Sequence, residues 1–482
     1  MTSPMTVMMR PTTSRSILPI GIQLKILDHL IVEGKHDLSF NVSTFAPVSK
    51  CWQEVVEREL FRSLTLNQLD LKKKKFAAYS KGRTHLVKHI LVELLFCNRI
   101  GNSPNRRIFT KAMQRLFNVL SVWDGHGITL ELGVTSPVES AAVCPPSSHV
   151  HVMPLLPRKR SSDPPSSHMG VFEIPEEVLW GLPGLVWHVR AVSLLGQKLL
   201  EFRTSAPPLL PEAKCISKLL IRRRYCPSIK PSSLARIIKA LPSLKSVHIE
   251  RWCYGIPPID TKYHIDFMCY FKLPRSVKDL SFYEENNTRY HYGFEIVDVV
   301  EPNFNVIKAL VEKSDHLENI AVSFAFEAAT LFTPQFAIEF KELKTLALTS
   351  QVLVSHTDDS INDLLCLVAK AAKRMPKLDI LELWYFKKFY RESPRSRPSR
   401  VAIFTYQKLA RYNSCISWKS TWSFKMSEET QEQWKDVVDV EGARLSKEHL
   451  VLDPDQMFSV GAVHDHLALR DRILHDITWT QV

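Results

Sequence analysis

The sequence predicts an α/β fold: a small N-terminal helical unit, then a repetitive α/β solenoid, closed by a helical C-terminal cap. Three observations predict it. Apolar residues recur at helical spacing across residues 16–66. From residue 89 onward, short strand-like runs alternate with amphipathic stretches. Several of those runs share a lead-in, an apolar residue a few places ahead of the strand, as in LPSLKSVHI, LPRSVKDLSF, HLENIAVSF, FKELKTLAL and MPKLDILEL. With 482 residues, 45% hydrophobic and 23% charged, the chain has the make-up of a globular protein with a large core.

Residues 1–15 read as a disordered tail. In SILPIGIQLKILDHLIVEGK (16–35) Ser16 can cap a helix, and Pro19 suits a first turn, where a missing N–H costs nothing. Ile22, Ile26 and Leu30 form one stripe, Leu27 and Ile31 an adjoining one, and Gly34 ends the helix. A second helical region, roughly 43–62, turns Val48, Trp52, Val55 and Val56 inward. The strand Leu64–Leu66 closes the unit at 66. A unit this small buries little surface alone, so its apolar surplus calls for a partner.

Residues 67–424 form the α/β region. Strands are expected at 89–96, 127–134, 189–196, 217–225, 245–252, 278–285, 319–327, 344–350, 378–386 and 417–424, with helices at 232–241, 303–313 and 360–375. From the fourth strand on, the repeat is roughly 25 to 40 residues, the range of solenoid units. A doubly wound domain shows the same alternation; the recurring lead-in favours the solenoid. Residues 136–170 are rich in Pro and Ser and read as a flexible insertion, and 391–400 as a second such loop. Residues 425–482 carry the helical patterns EETQEQWKDVV and AVHDHLALRDRILHDI, expected to cap the last strands.

Chemistry-bearing motifs are sparse. Glycine numbers only 15, and no G-x-S-x-G, G-x-x-x-x-G-K-[ST], G-x-G-x-x-G or H-E-x-x-H occurs. His149 and His151 fall in the proline-rich loop. His464 and His466 would point about 200° apart on a helix, which reads as a surface helix and not a metal site. Nine scattered cysteines fit reduced thiols in an intracellular protein, and no apolar run is long enough to span a bilayer. The formal charge of +13 permits acidic partners, although the basic runs (72–75, 158–160, 222–224) are short and read as solvated faces. Trp252, Tyr254, Tyr283, Trp384 and Tyr385 lie at or beyond strand ends. They either fill the core or border a partner-binding face, where such rings dominate hot spots.

Two resemblances gather these features. Leu18-Pro19, Ile22, Ile26-Leu27 and Leu30, followed by Val48-Ser49-Lys50-Cys51-Trp52 and the exit ELFRSLTL, resemble an F-box. Gly21 departs from the family, which usually carries Glu there, and the inter-helix loop is long. The strand lead-ins resemble irregular leucine-rich repeats, without the asparagine of the strict repeat, and the combination is similar to a large group of F-box proteins of filamentous fungi.

The resemblance implies a non-catalytic adaptor without cofactor or metal. It would dock on a Skp-type adaptor, and through it a cullin scaffold, by Leu18, Pro19, Ile22, Ile26, Leu27, Leu30, Val48 and Trp52. An unknown protein substrate would bind the repeat region, in the cytoplasm or nucleus. The alternatives are a scaffold outside any ligase and, less favoured, a nucleic-acid-binding protein.

Overall fold

The computed structural model describes residues 19–34, 42–72, 75–95, 102–124, 127–135, 199–203, 209–223, 228–253, 257–285, 304–336, 338–354, 357–387, 399–410, 412–438, 444–457 and 459–479. The tail 1–15, the insertion 136–170 and the expected strand at 189–196 lie outside them, as do Ser16, Leu18 and Tyr254.

Helix α1 covers Ile20–Gly34, directly after Pro19, whose carbonyl accepts the N–H groups of Ile22 and Gln23. The second helical region divides at Ser49. A 3-10 helix, Val42–Val48, contains Pro47, and α2, Lys50–Arg62, starts afresh where the Ser49 hydroxyl accepts the Trp52 N–H at 3.2 Å. Proline lacks the N–H a continuous α-helix needs, and serine caps the new start. Helix α2 runs straight into β1, Ser63–Leu66.

Twelve strands then form one sheet whose spatial order follows the chain: β1, β2 (His89–Leu95), β3 (Ile128–Thr135), β4 (Ile216–Ile221), β5 (Ser246–Trp252), β6 (Asp279–Glu285), β7 (Asn319–Ser323), β8 (Thr345–Thr349), β9 (Ile380–Lys387), β10 (Arg400–Ala410), β11 (Asn413–Ser420) and β12 (Arg444–Val451). Neighbours from β1 to β9 are parallel, β10 is antiparallel to both β9 and β11, and β12 is parallel to β11. A doubly wound sheet reverses its strand order at a switch point. This order never reverses, so the sheet is singly wound, and right-handed crossovers put the connecting helices on one face.

Strand parity assigns that face. Val247, Ile249, Leu280, Phe282, Ile320 and Val322 share a buried core with Phe117, Ile237, Phe267, Leu310 and Leu365 from the helices Asn102–Leu120, Pro231–Lys239, Pro257–Tyr270, Phe304–Lys313 and Asp358–Ala372. The helices at 102–120 and 257–270 and the strands β10 and β12 lie beyond the sequence expectation.

The opposite face has a different cover. The C-terminal segment was expected to sit on the last strands; it crosses most of the sheet instead. Leu452 donates its N–H to Ser420 of β11, and the Lys419 ammonium reaches the His466 carbonyl. Farther along, Ser281 of β6 donates to the Ile473 carbonyl, and His475 and Thr478 both bond to Glu250 of β5. Leu467, Leu469, Ile473 and Leu474 bury against Tyr283, Ala321, Ala347, Trp384 and Ile403 in a second core. Apolar side chains on both faces of β6–β10 require this, since an uncovered apolar face would lie against water.

Candidate functional site

The N-terminal helices divide their apolar residues between two tasks. Leu27, Ile31, Val42 and Val56 form a small core of their own, with Phe45, Trp52 and Val55 packed against it. Ile22 lies about 140° round the helix from Leu27 and is 47% exposed; Ile26 is 40% exposed. Val48, at the end of the 3-10 helix, is 60% exposed. Of the residues the sequence assigned to adaptor docking, Pro19, Ile22, Ile26 and Val48 therefore face solvent, and Leu30 is half-buried. Leu27 holds the local core and is wholly buried, because it faces Val56. Trp52 is half-buried, its ring 6.0 Å from that of Phe45.

The second region is the sheet face beneath the C-terminal segment. Two buried glutamates seat that segment. Glu382 of β9 accepts the N–H groups of Ala468 and Leu469 at 2.8 and 2.9 Å, and burial pushes its carboxyl above the usual range against those bonds. Glu250 of β5 accepts from His475 and Thr478 and lies 2.8 Å from His248 Nε2. Burial alone would raise it, but His248 and the two donors of the segment outweigh that and hold it at about 2. Arg223 is buried with its guanidinium over the rings of Trp252 and Tyr283, at 4.7 and 5.4 Å. His464, read from sequence as lying on a surface helix, is buried at 3% exposure, edge-on to Trp384 at 5.2 Å. The apolar neighbours of the crossing segment draw it inward.

Residues 272–475 match DUF6546, a family of unknown function. The matched span runs from just ahead of β6 to His475, taking in the strands and the segment that covers them. The N-terminal helices lie outside it, and so do β1–β5. No curated protein matches the chain.

The same sheet face carries a polar row that no sequence motif announced. Ser63 Oγ lies 3.0 Å from His89 Nδ1, His89 Nε2 lies 2.8 Å from Glu131 Oε2, and Arg222 Nε donates to Glu131 Oε1 at 2.5 Å. These residues sit on four adjacent parallel strands or their ends, so sequence gaps of 26, 42 and 91 collapse to hydrogen-bonding distance. Burial raises the Glu131 carboxyl, but His89 and Arg222 more than offset it and leave it below its ordinary value. The connectivity is that of a nucleophile–base–acid relay. The acid, however, is already neutralised by Arg222, so the row acts first as a buried ion-pair network.

The candidate substrate-binding rings resolve differently from one another. Tyr283 and Trp384 are 0% exposed under the C-terminal segment, and Tyr385 is buried on the helix-covered face. Adjacent residues of a strand point to opposite faces; both faces here are covered, so these three rings are core and line no open surface. Trp252 is half-buried against Arg223. Among the described residues no three His, Cys, Asp or Glu side chains converge as metal ligands, and no helix is long and apolar enough to cross a membrane.

Proposed function

We propose that the chain is the substrate-selecting adaptor of a Skp–cullin–F-box ubiquitin ligase. Its F-box-like helices dock on a Skp-type adaptor, and its leucine-rich-repeat-like α/β region presents an unknown protein substrate. The observation that carries this reading is the division of α1, with Leu27 in a small core shared with Val42 and Val56 while Ile22 and Ile26, like Val48, are exposed. Burying the remaining exposed surface of each isoleucine in a partner groove is worth about 1 kcal/mol, and helix-in-groove docking uses apolar anchors at this i, i+4 spacing. The unreversed strand order supports the repeat reading, since each strand–helix unit advances the array by one strand. In this reading no bond is made or broken by the chain itself, no cofactor is required, and it works in the cytoplasm or nucleus.

The test is capture of a Skp-type adaptor by the intact chain and by the double variant Ile22→Asp/Ile26→Asp, with Val122→Asp as a control at an exposed apolar site elsewhere. The double variant is expected to lose capture by about tenfold or more, the cost of burying two unpaired carboxylates, while the control keeps it. Equal capture by all three proteins would overturn the proposal. Cullin in the same eluate separates a ligase subunit from a scaffold outside the ligase, which would bring down the adaptor alone.

A further inference from the structure

The turns that feed β4, β5 and β6 lie side by side at one end of the sheet. Ala213 donates its N–H to the Ala240 carbonyl, Ser276 Oγ reaches the Pro242 carbonyl, and Lys278 donates its N–H to the Lys245 carbonyl. On this rim Lys214, Lys239, Lys245, Lys272 and Arg275 are exposed. None of these five pairs with a carboxylate among the described residues. Against them the three turns hold Glu212 and Asp279, and Asp279 is already engaged by Asn319 and Arg472.

The next turns along the same rim are balanced. Lys344 pairs with Glu318 at 2.8 Å, Lys377 with Glu342 at 2.7 Å, Lys373 with Asp436 at 2.8 Å and Lys341 with Glu339 at 3.5 Å. The excess of unpaired cations therefore stops at β6 and does not continue into the turns that feed β7 to β9. The helices Pro231–Lys239 and Pro257–Tyr270 end here, and each C-terminus contributes roughly half a negative unit, too little to cancel five cations.

We propose that this rim docks an acidic polypeptide segment of the substrate, a proposal that rests on reading the repeat region as the substrate-selecting part. Three turns spaced by the strand separation span about 10 Å, the length of about three extended residues. An Asp/Glu-rich stretch can therefore set successive carboxylates against successive turns. A nucleic-acid strand fits less well, because single-strand binding relies on several stacked rings. Among the described residues of these turns, Tyr270 is the one exposed ring.

The experiment uses the full chain and a short fluorescein-labelled glutamate peptide, read by fluorescence anisotropy without any Skp adaptor. The triple variant Lys245→Glu/Lys272→Glu/Arg275→Glu is expected to bind about tenfold or more weakly, and added salt to weaken the parent. The control Lys341→Glu/Lys377→Glu, in the balanced turns, should stay within about twofold of the parent. Circular dichroism of the variants confirms that exposed charge changes leave the fold in place. Unchanged peptide binding by the triple variant overturns the proposal, as does an equal loss in the control. A single-stranded RNA oligomer that binds more tightly than the peptide, with the same dependence on the triple variant, would reassign the rim to nucleic acid. Because the readout needs no adaptor, its failure leaves the docking of α1 standing, and failure of adaptor capture leaves the rim standing.

Discussion

Glu131 shows how much one residue depends on its neighbours, since its carboxylate is shared between His89 and Arg222 with no exposure to water. Glu131→Gln leaves Arg222 buried beside a neutral amide and is expected to destabilise the protein by about 3–5 kcal/mol, read from the urea midpoint. A loss below about 1 kcal/mol would mean that the other contacts of Arg222 compensate its charge without Glu131. His464 makes a second residue-scale prediction. Burial, with the Arg223 charge adding to it, takes its imidazole down to about 3 from 6.5. The unfolded chain therefore takes up a proton that the folded chain refuses, and stability drains as pH falls from 6.5 toward 3. Glu250, held at about 2, acts with the same sign between 4.5 and 2, while the raised Glu382 acts with the opposite sign and favours the fold as pH falls. His464→Phe should keep its melting temperature near neutrality and flatten the acid decline between 6.5 and 3. An acid profile parallel to the parent's would remove His464 as the cause.

At the scale of elements, the C-terminal segment and α1 make opposite points. The segment has only short helices, Val460–His464, Arg470–Ile473 and Asp476–Trp479, so packing and not helix propensity holds it down. Leu474→Ala, at a wholly buried position, is expected to cost about 2–5 kcal/mol and to hasten proteolytic cutting after residue 452. Cutting at the parent's rate would mean the segment is held mainly by its bonds to Glu250 and Glu382. Helix α1 carries Gly21 near its start, where an added Cβ meets nothing within 4 Å. Gly21→Ala should therefore stabilise α1 by about 0.5–1 kcal/mol with adaptor capture no weaker than the parent's. Weaker capture would mean that the partner needs the bare backbone there. Helix α1 and the strand lead-ins were legible because their signals are local, an i, i+4 stripe and an apolar residue ahead of several short runs. The helix at 257–270 was not, because its apolar residues follow no clear stripe and proline opens it. Strand β12 was hidden because nearly all its side chains are exposed, leaving no alternation to read.

Across the whole molecule, burial is uneven in a way that local pattern does not report. Strands β5 to β9 are sheathed by helices on one face and by the C-terminal segment on the other, whereas β12 has solvent on both sides. Backbone amides of β5–β9 should exchange with deuterium slowest, and those of β12 and α1 orders of magnitude faster. Comparable protection in β12 would require a cover that it lacks among the described residues. By itself the sequence determined the α/β alternation, the helical unit at the N-terminus and the two apolar stripes of α1, because these depend on spacing within a few turns of chain. Tertiary structure decided the rest. Tyr283 and Trp384 became core because a segment almost two hundred residues beyond Tyr283 folds back over them, as the Ser281–Ile473 bond 192 residues apart records. The polar row from Ser63 to Arg222 arose because parallel pairing sets distant residues side by side. Periodicity tells which residues share a face of their own strand; only the assembled sheet tells what lies on the other side of that face.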